Sequence, residues 1–161
     1  MYHGLMATTE TTITAAPATA ATAPPGGPGP ENQLEVSFIA GESYEVVVRG
    51  HRIMVDQPVE SGGDDFAPTP TELFVASLAS CVAFYAGRYL TRHGYSRTGL
   101  AVSTSFEMAK DRPARVGGIR ITVKVPTDVP EQRWPALTAV VQHCTVHNTL
   151  HNPPPVSIEL T

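Results

Sequence analysis

Two cysteines are the residues of this chain best suited to chemistry. Cys81 lies within an apolar stretch, and Cys144 follows 63 residues later, next to His143 and close to His147. A thiolate is a nucleophile and can exchange with a second thiol to form a disulfide. The alternative is that both cysteines are small buried hydrophobic residues. Because each is predicted on a separate helix, we interpret them as an attacking and a resolving thiol.

The helix that carries Cys81 is predicted over residues 70–93. Its start has the pattern of a capping box, with Thr69 as N-cap and Glu72 at the third helical position. Gly94 is the predicted stop. A thiol in such an apolar helix stays protonated unless a cation lies nearby, and the candidate cations are Arg49, Arg52 and Arg88.

A second, amphipathic helix is predicted over about residues 130–144, with Cys144 at its end and a turn after it. Alternating and β-branched stretches predict three strands before the first helix, two between the helices and a last strand over residues 156–160. This order indicates an α+β fold with an antiparallel or mixed sheet. Residues 33–161 are predicted to form one domain, and residues 1–32, rich in Ala, Thr, Pro and Gly, a disordered tail.

The composition narrows the possible partners and compartments. A net charge of −4 argues against nucleic acid or an anionic membrane as partner. The most apolar stretch, residues 73–90, is interrupted by polar residues, so no spanning helix is predicted. The first residues lack the pattern of a secretory signal, and we therefore expect a cytoplasmic protein, in which thiols are kept reduced.

The stretch PTPTELFVASLASCVAFYAGRYL, preceded by VDQP and GGDD and followed by HCTVHNTL, resembles the osmotically inducible protein C and organic hydroperoxide resistance (OsmC/Ohr) family, in its less-characterised branch. The resemblance spans about residues 36–160. It implies an intertwined homodimer with two sites at the subunit interface, each using two cysteines of one chain. Cys81 would be the peroxidatic thiol and Cys144 the resolving thiol.

By the same resemblance the substrate is an organic hydroperoxide, whose organic part would contact Phe74, Leu78, Phe84 and Tyr85. No cofactor is implied beyond an external dithiol reductant, which in the family is typically a lipoyl group. Many members carry a glutamate directly after the helix-starting proline, where it pairs with an arginine. Here Thr71 occupies that position and Glu72 follows it, so Glu72, Arg49 and Arg52 are candidates by location.

The sequence leaves three other functions open to comparison with a peroxidase. His143, Cys144, His147 and His151 have a spacing that can hold a metal on a helix, but the prolines at 153–155 and the predicted turn disfavour it, so no metal site is predicted. A milder role is that His143 or His147 assists ionisation of Cys144. A non-catalytic redox sensor or ligand-binding module of the same fold is the main alternative, whereas a serine hydrolase lacks the required Gly-x-Ser-x-Gly motif.

Overall fold

The computed structural model describes residues 32–161. The tail predicted over residues 1–32 therefore lies outside the described residues, apart from its last position. Within them the α+β class is confirmed: two small antiparallel sheets and three helices.

The first sheet is a meander of β1 (Glu35–Ala40), β2 (Ser43–Val48) and β3 (His51–Val55). Val46 lies opposite Val36 on one side and Ile53 on the other, so β-branched residues face each other across the strands. Most side chains of this sheet are nevertheless exposed, including Phe38 at 64%. The sheet therefore has little cover from the other residues that the structure describes.

The central helix α1 (Pro70–Arg92) begins at the predicted residue and ends one residue before the predicted end, for chemical reasons that the sequence shows. The Thr69 hydroxyl accepts the backbone N–H of Glu72 at 3.2 Å, and the Glu72 carboxylate accepts the N–H of Thr69 at 2.8 Å. At the other end Gly94 has a φ of +77°. The N–H of Tyr95 then reaches Leu90 O at 2.9 Å, which completes a Schellman motif.

One face of α1 forms the centre of the protein. Its buried side chains recur at helical spacing and include Val75, Leu78, Val82, Ala86, Tyr89 and Leu90. By length and composition alone α1 could also cross a membrane, a test that the core helix of a soluble protein passes as well. Here α1 packs against two helices and both strands of the second sheet.

The second sheet pairs β4 (Ala101–Met108) with β5 (Val116–Lys124). After it comes a 3₁₀ turn, Glu131–Arg133, and then two helices, α2 (Trp134–Gln142) and α3 (Thr145–His151). The prediction of one helix over residues 130–144 followed by a turn was therefore wrong in detail. Cys144 is extended, with φ −67° and ψ 149°, and this residue divides the segment into two helices.

The predicted last strand is absent from the described chain, in which residues 152–161 have no regular secondary structure. Its apolar residues alternate as a strand requires, yet Val156, Ile158 and Leu160 are 82%, 87% and 98% exposed. A strand exists only when a neighbouring strand takes up its backbone hydrogen bonds. In the structure none of the strands within residues 32–161 pairs with this segment.

Candidate functional site

The structure brings Cys81 and Cys144 together. Cys81 is half-buried on α1, and Cys144 is fully buried between α2 and α3, in a cluster with Leu78 and Val82. Cys81 packs against the cluster that contains Cys144, and both cysteines are free. A half-exposed thiol is accessible to a small reagent, and a buried thiol behind it can then form a disulfide with the oxidised sulfur.

Cys144 is held in place as the N-cap of α3. Its extended backbone ends the preceding helical segment, and its Sγ accepts the backbone N–H of His147 at 3.4 Å. The carbonyl of Cys144 accepts the N–H of Asn148 at 2.9 Å, the first bond of the new helix. The thiol therefore takes the place that a serine or aspartate side chain usually occupies at a helix start.

The surroundings of Cys144 favour its protonated form. Burial is the largest cause and raises the pKa of Cys144, while the N–H of His147 opposes this by stabilising the thiolate. The neighbouring Cys81 thiol raises the pKa further. Cys144 is therefore a neutral thiol at pH 7, which suits a resolving residue better than an attacking one.

A hydrogen bond fixes the helix that carries the buried thiol to the helix that carries the accessible one. The hydroxyl groups of Tyr85 on α1 and Thr145 on α3 lie 3.1 Å apart. Tyr85 is one turn after Cys81, and Thr145 directly follows Cys144. This contact positions the start of α3, and hence the Cys144 sulfur, relative to α1.

The arginines predicted by location lie elsewhere. Arg52 binds Glu45 with two hydrogen bonds of 2.6 Å across β2 and β3. Arg49 is exposed in the turn between these strands. Within residues 32–161 the structure thus brings neither guanidinium to the cysteine pair. Arg88 lies on α1, with its guanidinium carbon 5.6 Å from the centre of the Phe84 ring.

Glu72 also has a role at some distance from the thiols. Its carboxylate caps the start of α1 and accepts both the N–H and the hydroxyl of Thr69. Nine residues of helix separate Glu72 from Cys81, which corresponds to about 13 Å along the axis. Thr71 lies in the same first turn. The structure therefore gives Glu72 a capping role and does not bring it to the cysteine pair.

The four residues predicted to contact the substrate divide between two environments. Leu78 is buried in the cluster around Cys144, and Tyr85 is half-buried next to it. Phe74 and Phe84 are 40% and 56% exposed on the side of α1 that residues 32–161 leave uncovered. Cys81 lies at the border between the covered and the uncovered side.

The imidazole rings of His147 and His151 interact with each other rather than with the Cys144 sulfur. The ring of His147 hydrogen-bonds through Nδ1 to the carbonyl of Gln142, and its Nε2 lies 3.2 Å from Nε2 of His151. Only the backbone N–H of His147 reaches Cys144. Among the described residues no three His, Cys, Asp or Glu side chains are grouped as a metal ion would need.

Asp56 is a buried carboxylate to which the sequence analysis gave no role. It accepts the hydroxyl of Ser43 at 3.1 Å and the backbone N–H groups of Asp64 and Phe66 at 3.0 and 3.3 Å. These bonds hold the loop that leads into α1. The sequence pattern that could have predicted this role is an aspartate directly after a strand and before a glycine-rich loop. An aspartate in that position is typical of a side chain that caps backbone N–H groups.

Gly63 in the same loop explains part of the glycine-rich pattern. A Cβ atom there would lie 2.0 Å from the carbonyl oxygen of Gln57, so only glycine fits. The close approach lets Asp56 reach the backbone of the loop. The GGDD segment is therefore structural in this chain, since it allows the loop to fold around a buried carboxylate.

Comparison with known proteins agrees with this architecture. The model of the family described as OsmC-like protein matches residues 62–159. No curated protein matches the chain.

Solved structures share the fold at low sequence identity. A Psychrobacter arcticus 273-4 protein named for the osmotic stress and detoxification response has 22% identity and a TM-score of 0.67, over 72% of this chain and 85% of its own. An OsmC-like protein from Mycoplasma pneumoniae has 15% identity and a TM-score of 0.62, over 76% and 90%. An organic hydroperoxide resistance protein OsmC from Legionella pneumophila has 16% identity and a TM-score of 0.56, over 76% and 91%. The family match covers more than half of the chain, and the chain therefore belongs to the OsmC-like protein family.

Proposed function

We propose that this chain is a thiol-dependent peroxidase that reduces organic hydroperoxides with Cys81 as the attacking and Cys144 as the resolving residue. The observation that carries the proposal is that the half-buried Cys81 packs against the cluster that contains the fully buried Cys144. Family membership adds support. The Legionella relative is named for organic hydroperoxide resistance, which favours a role in defence against oxidative stress.

The chemistry balances with one peroxide and two thiols. The Cys81 thiolate attacks the outer peroxide oxygen, the O–O bond breaks, and the leaving alkoxide takes up a proton to become an alcohol. Cys81 is then a sulfenic acid. The Cys144 sulfur attacks it, the S–O bond breaks, and the Cys144 proton leaves with the hydroxyl group as water.

The resulting disulfide must be reduced from outside by two electrons. An external dithiol supplies them through two thiol–disulfide exchanges, and a lipoyl group is the donor we propose. We propose the cytoplasm as the compartment, because reduced thiols are required at the start of each cycle. We propose neither nucleic acid nor a membrane as partner, because the net charge is −4.

A homodimer is part of the same proposal. The uncovered side of α1, the two faces of the first sheet and residues 156–160 all expose large apolar side chains. Exposed apolar side chains in such number are typical of an interface. A second copy that covers α1 at Phe74 and Phe84 would also enclose the accessible side of Cys81.

The test is intact mass and free-thiol titration after one equivalent of cumene hydroperoxide. The native chain is expected to lose two thiols and about 2 Da, as one disulfide forms. Cys144→Ser is expected to retain one added oxygen on Cys81, and Cys81→Ser is expected to stay unchanged. Free thiols in the native chain at millimolar peroxide would overturn the proposal.

The second candidate function is a redox sensor or ligand-binding module that is oxidised once and turns over slowly or not at all. Thr71 in place of the usual glutamate and the commitment of Arg52 to Glu45 favour it, since both leave the attacking thiol less activated. Multiple turnovers with a dithiol donor would exclude this function. A single stoichiometric oxidation would support it.

A further inference from the structure

Two histidines on α3 bring one ring nitrogen each to the same place. His147 and His151 are four residues apart in this helix, so their side chains lie on one face, one turn apart. Their Nε2 atoms are 3.2 Å apart, whereas the centres of the two rings are 4.5 Å apart. The rings therefore approach each other through their Nε2 edges.

A backbone carbonyl fixes which nitrogen of His147 carries the hydrogen. Nδ1 of His147 is hydrogen-bonded to the carbonyl oxygen of Gln142. A carbonyl oxygen only accepts, so the neutral ring holds its hydrogen on Nδ1 and a lone pair on Nε2. A histidine that ligates a metal is held in the same way, with its other ring N–H donated to a carbonyl or a carboxylate. His147 is thus oriented as a metal ligand before any metal binds.

The separation of the two Nε2 atoms suits a tetrahedral metal ion. Two Zn–N bonds of about 2.0–2.1 Å at the tetrahedral angle span about 3.3–3.4 Å. The observed 3.2 Å is also a hydrogen-bond distance, so without metal His151 donates its Nε2–H to the lone pair of His147. A metal ion takes the place of that hydrogen. His151 is exposed, so the hydrogen can move through water to Nδ1 of the same ring.

The predicted turn that disfavoured a metal at these histidines is a helix in the structure. The segment after Cys144 is helical from Thr145 to His151, and the prolines at 153–155 come after the helix ends. Both histidines therefore lie within one helix, as a spacing of four requires. Two imidazoles fill two coordination positions and leave the others to water, as in an open site. Such a site exchanges its metal more readily than a group of three protein ligands.

We propose that His147 and His151 form an exchangeable binding site for a late divalent transition-metal ion, the class of Zn²⁺, Ni²⁺ and Cu²⁺. Imidazole nitrogen suits these ions, whereas Mg²⁺ and Ca²⁺ prefer oxygen ligands. The site is distinct from the cysteine pair, since only the backbone N–H of His147 reaches Cys144. A helix of seven residues is too short to be stable alone. A metal that joins two of its turns therefore stabilises α3, whose N-cap is Cys144.

The test uses the full chain with Cys81→Ser and Cys144→Ser, because thiolates bind the same ions. Serine is a preferred N-cap, so this parent chain retains the start of α3. It has no thiol to oxidise, so the outcome does not depend on the proposed peroxidase reaction. Calorimetric titration with Zn²⁺ is expected to saturate at one ion per chain. Mg²⁺ is expected to show no saturation below about 1 mM.

Cu²⁺ identifies the ligands directly, and it is expected to bind more tightly than Zn²⁺. The nitrogen hyperfine pattern in the electron paramagnetic resonance spectrum of the Cu²⁺ form is expected to be that of two imidazoles. His151→Ala is expected to reduce it to one imidazole and to weaken Zn²⁺ binding by roughly tenfold or more. His143→Ala is the matched control, because His143 is exposed just before α3. It is expected to bind both ions as the parent chain does.

A relocated histidine tests the geometry. His151→Ala with Thr149→His keeps the number of histidines, but residues 147 and 149 are about 160° apart around the helix. This variant is expected to bind Zn²⁺ as weakly as His151→Ala alone. Zn²⁺ is expected to raise the melting temperature of the parent chain and not that of the relocated variant. Equal Zn²⁺ affinity of these two chains, a Cu²⁺ spectrum with fewer than two imidazoles in the parent, or no saturation with Zn²⁺ below about 1 mM would overturn the proposal.

Discussion

Asp56 shows how a single buried carboxylate sets up the approach to the central helix. Burial acts to raise the pKa of Asp56, but hydrogen bonds from the N–H groups of Gln57, Phe66 and Asp64 and from the Ser43 hydroxyl together lower it below 3.8. The folded protein therefore favours the ionised form. The loop before α1 depends on that negative charge.

This balance predicts a pH dependence of stability that can be isolated with Asp56→Asn. A lowered pKa means that the stabilisation from Asp56 is present above the ordinary aspartate pKa and is lost as pH falls through the folded value. We expect the melting temperature of the native chain to fall more steeply between about pH 5 and about pH 3 than that of Asp56→Asn. Circular dichroism melts measure this difference.

The matched control is Asp65→Asn, because Asp65 lies in the same loop and is exposed. It should keep the steep decline of the native chain. Parallel curves for the native chain and Asp56→Asn would contradict the assignment of this pH dependence to Asp56.

Among the elements, the central helix is the one whose ends were predictable. Thr69, Glu72 and Gly94 act within a few residues of sequence, so their roles do not depend on distant contacts. The structure confirms the start at Pro70 and ends the helix at Arg92, one residue before the predicted end. Local hydrogen-bonding chemistry of this kind can be predicted from sequence alone.

The N-cap of α1 gives a testable magnitude. Thr69→Ala removes the hydroxyl that accepts the N–H of Glu72, and we expect it to lower the free energy of unfolding by about 1 kcal/mol. Chemical denaturation with urea measures the change. Thr71→Ala, in the same turn but outside the cap, is expected to cost less than half as much, and an equal loss in both variants would rule out a capping effect.

The segment around Cys144 was harder to predict, for a physical reason. A cysteine rarely serves as an N-cap, since sulfur is a weak hydrogen-bond acceptor. The amphipathic pattern before it therefore suggested one helix up to residue 144. The extended backbone of Cys144 and its bond from the His147 N–H appear only once Leu78 and Val82 pack around the sulfur.

At the scale of the whole molecule, the α+β class and the contact between two distant cysteines were predictable. The strand with which residues 156–160 would pair was not. The class follows from the order of strand and helix patterns, and the cysteine roles were implied by the family resemblance. The final strand over residues 156–160 has the right alternation but no partner within the described chain. A sequence pattern indicates a strand, whereas its pairing depends on which edge is available.

The exposed apolar side of α1 predicts a dimer that one substitution should disrupt. We expect the native chain at micromolar concentration to have twice the mass of one 17.2 kDa chain by size-exclusion chromatography with light scattering. Phe84→Glu places a carboxylate on the proposed interface, where its desolvation is unfavourable, and is expected to weaken the dimer roughly 100-fold. Phe66→Glu is the matched control, because Phe66 is 54% exposed against 56% for Phe84 but lies in the loop before the helix. A native chain that is monomeric at these concentrations, or equal dissociation by both variants, would contradict an interface built on this side of α1.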